Sequence, residues 1–305
     1  MYRTKGQGMD IQRITAGVLE VAYLEFGPAN GPVAILLHGF PYDALSCVPA
    51  AERLAAKGVR VIVPWLRGYG STRFLSDETF RSGQQAVLAT DLAALMDALG
   101  IRRAVLGGYD WGGRAACIVA ALWPDRVTGL VSAGLAYNIQ NIAASARPAT
   151  PEQEARYWYQ YYFHGARGAA GLAANRQELC RLLWRMWSPT WDFDAATYGA
   201  SAAAFDNPDF VEVVLHSYRH RFALVDGDRA AEAVESALAA QPSITVPSVV
   251  LLGADDDVST PAESDANRGK FTDLKGWHVL PGIGHNVPQE APDAFADAIQ
   301  SLITR

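Results

Sequence analysis

Apolar residues in this chain gather into short unbroken runs, separated by longer amphipathic stretches. Val33-Ala34-Ile35-Leu36-Leu37 shows no polar alternation, the pattern of a parallel strand covered on both faces. Val59 to Pro64, Arg102 to Leu106, Val127 to Ala133, Thr245 to Leu252 and Gly276 to Leu280 have the same character. Ahead of them, Ile11 to Thr15 and Leu19 to Phe26 read as a hairpin turning at Ala16-Gly17. Helical stretches fill the gaps: Ala44 to Lys57, closed by Gly58; Phe80 to Leu99, closed by Gly100; Arg114 to Leu122, stopped by Pro124; and Ala291 to Ile303 at the end. This alternation predicts an α/β protein with a mostly parallel, doubly wound sheet and ligand sites at the strand C-termini.

The rhythm breaks after Tyr137. From Asn138 to about Gln241 there are only amphipathic helical stretches, rich in aromatics and arginine and interrupted at Pro148, Pro151, Pro189, Pro208 and Gly227. The expected organisation is a core of residues 9–137 and 241–305 with a helical lid of residues 138–240 inserted between its halves. Half of the 305 residues are apolar, enough for a large core. A formal charge of -6 argues against a nucleic-acid partner, which needs a concentrated basic surface. Cys47, Cys117 and Cys180 are far apart and in no metal or redox motif, so they are expected to be reduced and buried. Met1 to Gly8 lacks the apolar stretch of a secretory signal, and no window approaches an apolar span of ~18 residues. The expectation is a soluble cytoplasmic protein that does not enter a membrane.

The most informative stretch is Leu106-Gly107-Gly108-Tyr109-Asp110-Trp111-Gly112-Gly113-Arg114. It joins a buried strand to a helix, and glycines flank one aspartate. That is the logic of the nucleophile elbow, written Gly-x-Ser-x-Gly, with Asp110 where the serine stands. A carboxylate at a helix N-terminus stays ionised, because the helix dipole and unpaired N–H groups favour the anion, so it can attack carbon directly. The plainer alternative is a residue that only caps the next helix.

Taken together, the motifs resemble the α/β-hydrolase fold and, within it, the epoxide hydrolases, over about Ile11 to Leu302. His38-Gly39-Phe40-Pro41 resembles the family's oxyanion loop, and Gly108-Tyr109-Asp110-Trp111-Gly112-Gly113 its elbow, with Tyr109 where the family more often has His. The resemblance implies Asp110 as nucleophile and His285, in a Gly-His-Asn turn past the last strand, as base. It implies Asp256, third after Gly253 and five before Pro261, as the acid that orients His285, with the neighbour Asp257 as the other candidate. It also implies Tyr159 and Tyr218 as two phenols that hydrogen-bond the epoxide oxygen, although Tyr157, Tyr161 and Tyr162 leave room for a slip in the first assignment. The backbone N–H groups of Phe40 and Trp111 would form the oxyanion hole. An epoxide would open to a vicinal diol through an Asp110 ester, with a small-molecule epoxide and water as the only reactants and no cofactor. A homodimer stays open.

Related dehalogenases use the same Asp-Trp pair, but haloalkane dehalogenases usually carry Asn at the position of Phe40, and fluoroacetate dehalogenases Arg at that of Trp111. Dehalogenation and a ligand sensor without turnover are the alternatives. Related dehalogenases also often place the acid after the preceding strand, where this chain reads Gly134-Leu135-Ala136-Tyr137-Asn138, with no carboxylate. His38 is expected to orient its loop and His278 to pack in the core. His216 and His220, four apart, have a spacing that metals use, but without a third ligand no metal is expected. Arg181, Arg185, Arg219 and Arg221 are expected to form a solvated lid face in preference to a pocket for an anionic substrate.

Overall fold

The computed structural model describes residues 9–303; Met1 to Gly8, read above as lacking a signal, lie outside them. Among the described residues nine strands form one sheet: β1 (Gln12–Ala16), β2 (Leu19–Phe26), β3 (Val33–Leu37), β4 (Arg60–Pro64), β5 (Arg73–Phe74), β6 (Ala104–Tyr109), β7 (Val127–Ala133), β8 (Ser248–Gly253) and β9 (Leu274–Leu280). Their order is β1-β2-β4-β3-β6-β7-β8-β9, with β5 paired to β2. From β4 to β9 all pairings are parallel, and β2 joins β4 antiparallel.

β3 is followed in sequence by β4 on one side and neighboured by β6 on the other, so the winding reverses between β3 and β6. That crevice is where ligands bind in open α/β sheets. Leu37 pairs with Gly108, so the loop after β3 and the turn after β6 emerge side by side. Helices cover both faces, and the alternation of side chains along β6 shows it. Gly107 faces Phe295 and Ile299 of the closing helix Pro292–Leu302, whereas Gly108 faces the backbone of Gly112 and Gly113 in the helix Asp110–Leu122. β6 and β8 are buried along their whole length.

Three boundaries differ from the sequence pattern. β6 continues through both glycines to Tyr109, and its helix begins at Asp110 rather than Arg114. The long helix begins at Gln85 rather than Phe80, because Gly83 is committed elsewhere: its N–H donates to His216 Nδ1 at 2.9 Å. β9 is an edge strand, so His278 is exposed and not packed in the core.

Between β7 and β8 the regular structure is helical, including Trp158–Tyr162, Ala166–Trp187, Ala195–Ala202 and Phe210–His220. Polar ties fix this insert on the sheet. Trp184 Nε1 donates to Pro41 O at 2.7 Å and Ser201 Oγ to Asp43 Oδ1 at 2.7 Å. Cys47, Cys117 and Cys180 are free and buried. Among the described residues no helix is long and apolar enough to cross a membrane.

Candidate active site

Asp110 occupies the sharp junction of β6 and its helix, with φ at 49°. That left-handed conformation costs a non-glycine residue on the order of 1–3 kcal/mol. The glycines do different work. A Cβ on Gly108 would lie 2.6 Å from Gly112 C, and one on Gly112 would lie 2.4 Å from Leu37 O, so they let strand, helix and neighbouring loop meet backbone to backbone. Phe40 N–H donates to Asp110 Oδ1 at 2.7 Å, and Asn138 Nδ2 donates to the Asp110 carbonyl. Burial opposes ionisation, but His285, Arg114 and the Phe40 N–H hold the Asp110 carboxyl below its ordinary value.

His285 reaches the same place from the loop after β9. Its N–H is within reach of Ser188 Oγ at 3.0 Å and of Trp187 O at 3.2 Å. Glu290 braces the turn, accepting from Ser188 Oγ at 2.6 Å, Gly284 N–H at 2.7 Å and Asn286 N–H at 2.9 Å. His285 Nδ1 lies 2.8 Å from Asp256 Oδ2, and Asp256 Oδ1 accepts from Val258 N–H at 2.7 Å. With Nδ1 turned to Asp256, Nε2 faces Asp110 Oδ2 at 3.8 Å. Burial by itself would lower the His285 imidazole, but the carboxylates of Asp256 and Asp110 outweigh it and raise the group to about 10.

The structure thus brings Asp110, His285 and Asp256 into one line. Asp257 is exposed and does not touch the imidazole. A Cβ on Gly134, just after β7, would stand 3.5 Å from His285 Nδ1, so the other side of the imidazole faces a residue without a side chain.

Aromatic rings wall the site. Phe40 is stacked on Trp111 at 5.7 Å between centroids and packs edge-on to Tyr218 at 5.3 Å, and Tyr159 meets Tyr218 edge-on at 5.4 Å. Tyr159 lines a cavity of about 550 Å³ together with Asp110, Arg114, Asn138 and Arg221. Gln160 Nε2 donates to Tyr159 Oη at 3.1 Å. Burial raises the phenols of Tyr159 and Tyr218 above their ordinary value, so both remain protonated donors near neutral pH.

His38 takes no part in this line. Burial lowers its imidazole to about 4, and neutral Nε2 accepts from Leu66 N–H at 3.0 Å, which ties two loops together. His216 Nδ1 accepts from Gly83 N–H, and its Nε2 donates to Asp226 O at 3.0 Å. Both ring nitrogens are therefore occupied, which leaves no lone pair for a metal.

The expected solvated arginine face is corrected in part. Arg185 is exposed, but Arg181 lies over the Tyr198 ring, Arg219 donates to Phe163 O at 3.1 Å, and Arg221 lines the cavity. Arg221 turns inward because it stands one turn from Tyr218, with its guanidinium 4.4 Å from that ring centroid. Sequence reasoning also missed Trp187, Ser188, Asn138 and Arg114. Asn138 carried a signal: it follows β7, where a neighbour of the elbow must pass.

The comparisons agree with this architecture. Residues 32–292 match the family described as the alpha/beta hydrolase fold, and the chain belongs to that family. It is 26% identical over 309 residues to epoxide hydrolase A of Mycobacterium tuberculosis, covering 92% of this chain and 93% of that protein. It is also 32% identical over 146 residues to epoxide hydrolase B of the same organism, an alignment that spans 44% of this chain and only 40% of that relative. Among solved structures it is similar to a candidate epoxide hydrolase of Klebsiella pneumoniae, with 46% identity, a TM-score of 0.93 and 96% of each chain covered.

Proposed function

We propose that the protein is an epoxide hydrolase that opens its substrate through an ester on Asp110. What carries this is the meeting, in one cavity, of an ionised Asp110 and a protonated Tyr159. Asp110 Oδ2 attacks an epoxide carbon while Tyr159 and Tyr218 hydrogen-bond the departing oxygen. His285, oriented by Asp256, then activates water against the ester carbonyl. Backbone N–H groups of Phe40 and Trp111 stabilise the oxyanion, each donor being worth roughly 3 kcal/mol in comparable sites.

The proton balance follows from the electrostatics. In the resting site the Asp110 anion helps keep His285 protonated. Esterification removes that charge, so the imidazolium gives up the proton that turns the opened alkoxide into a hydroxyl. The neutral imidazole is then ready to take a proton from water. Ester hydrolysis restores the Asp110 carboxylate and the imidazolium together, and the vicinal diol leaves.

One observation favours dehalogenation as a second reading: the indole Nε1 of Trp111 is buried without a partner and is a donor of the kind that holds a halide. Intact-mass spectrometry of His285→Gln separates the two. After exposure to an aryl epoxide the protein should gain the whole mass of the epoxide at Asp110. Gain of only the alkyl group from a bromoalkane, with no epoxide adduct, would establish the dehalogenase. No adduct from either would favour binding without turnover.

A further inference from the structure

Three arginines line the cavity; Arg147 is exposed, and the other two, Arg114 and Arg221, touch no reacting atom in the chemistry above. Arg114 stands one turn past Asp110 in the same helix, about 6 Å along its axis. It is 3% exposed, its Nη2 donates only to Asn138 Oδ1 at 3.3 Å, and its Nε is buried with no partner. Arg221 Nη1 donates to Gln160 Oε1 at 3.1 Å, and its Nε lies 2.7 Å from the Gln140 side-chain oxygen once that amide is turned to receive it. Among the described residues neither guanidinium forms a salt bridge, and the Asp110 carboxylate that lies nearby is paired with His285. Arg67 shows the contrast. It is equally buried at 3% exposure, yet its Nε and Nη2 each lie 2.6 Å from the Asp91 carboxylate.

A buried cation normally has a counter-charge, because desolvation is otherwise uncompensated. Here two such cations share one cavity with the exposed Arg147; burial first and then the Arg221 charge lower Arg114 to about 10, against the opposing Asp110 carboxylate, so Arg114 remains charged near neutral pH. The other carboxylate lining the cavity, Glu154, is engaged by Tyr161 Oη and by Ala149 N–H at 2.7 Å. Amide oxygens and an aromatic face fix the guanidiniums without neutralising them. Arg221 also bonds Gln160, which in turn bonds Tyr159, so an anion held there lies next to the phenol that faces the epoxide.

We propose that Arg114 and Arg221 form an anion subsite and that the substrate is a compact epoxide bearing a carboxylate a few bonds from the ring. This rests on the epoxide hydrolase reading for its chemistry, though the subsite itself can be tested without turnover. Bidentate guanidinium recognition of a carboxylate is strong and charge-specific, so a neutral isostere should lose it. The experiment compares kcat/KM for 3-phenylglycidate and the neutral 3-phenylglycidamide in the wild type, Arg114→Gln and Arg221→Gln. In parallel, calorimetry measures binding of phenylacetate and phenylacetamide.

The wild type should prefer the acid by about 10-fold or more, and each variant should erase most of that preference, mainly through KM. Phenylacetate should bind the wild type and lose its affinity in Arg221→Gln. If Arg114→Gln does not fold, the half-buried Arg221 carries the test. Turnover of the amide as well as the acid by the wild type, or an acid preference unchanged in the variants, overturns the subsite while leaving the hydrolase reading in place. Arg221-dependent binding of phenylacetate without turnover of any epoxide supports the subsite and overturns the hydrolase.

Discussion

Asp110 and His285 place opposite charges out of water and face to face, and each holds the other in its ionised form. Asp110→Asn should therefore lower the His285 imidazole, measured by NMR, because one of the two carboxylates that raise it is gone. An unchanged titration would mean that Asp256 alone accounts for the shift. The same coupling sets a pH dependence of stability. His285 is raised from 6.5 to about 10 in the folded protein, so its contribution is complete below about 6.5 and is lost as pH climbs through about 10. The stability gap between the wild type and His285→Gln, read from urea midpoints, should narrow across that window; a constant gap would contradict it. The positions of His285 and Asp256 could be picked out in the sequence because each sits a short distance past a strand, β9 and β8 respectively. Arg114 and Arg221 were not. Whether an arginine has a carboxylate partner depends on residues distant in the chain, and no local pattern encodes it.

The elbow works as an element because backbone approaches backbone at Gly108 and Gly112. Gly112→Ala would push a methyl group against the Leu37 carbonyl, and neither strand nor helix can move without breaking the sheet. It should cost on the order of 3 kcal/mol or prevent folding, as measured by urea denaturation. Gly199 is the control: it lies inside the helix Ala195–Ala202, with nothing within 4 Å of an added Cβ. Gly199→Ala should stabilise by about 0.5–1 kcal/mol. A glycine is thus a poor punctuation mark when read alone. Gly107 and Gly108 looked like the end of a strand and are part of it, whereas the strained φ falls on Asp110. The buried strands were legible through their unbroken apolar runs. The start of the long helix was not, because Gly83 is claimed by His216 from 133 residues away.

Across the whole molecule, the reversal of winding between β3 and β6 brings Phe40 to Asp110, and the loops after β8 and β9 bring Asp256 to His285. The alternation of elements revealed the class of fold, but strand order is a matter of pairing register and could not be read from the runs themselves. The helical insert shares the buried core with the sheet, through Trp184, Trp187, Phe205 and Phe210. Ser188 ties it directly to the His285 loop. Insert and sheet should therefore unfold as one unit: urea transitions followed by tryptophan fluorescence and by far-UV circular dichroism should coincide. Separated midpoints would show an insert that melts alone.

The bond from Phe40 N–H to Asp110 Oδ1 also determines the fate of individual atoms. It pins one carboxylate oxygen and, in the mechanism proposed above, leaves Oδ2, on the His285 side, as the one that would bond the substrate. If the buried carboxylate does not rotate between cycles, each diol carries away an Oδ2 atom, solvent replaces it, and Oδ1 stays for the life of the protein. After many turnovers in ¹⁸O-labelled water, the peptide containing Asp110 should be about 2 Da heavier and go no further. A rise to about 4 Da would mean that the side chain flips between cycles.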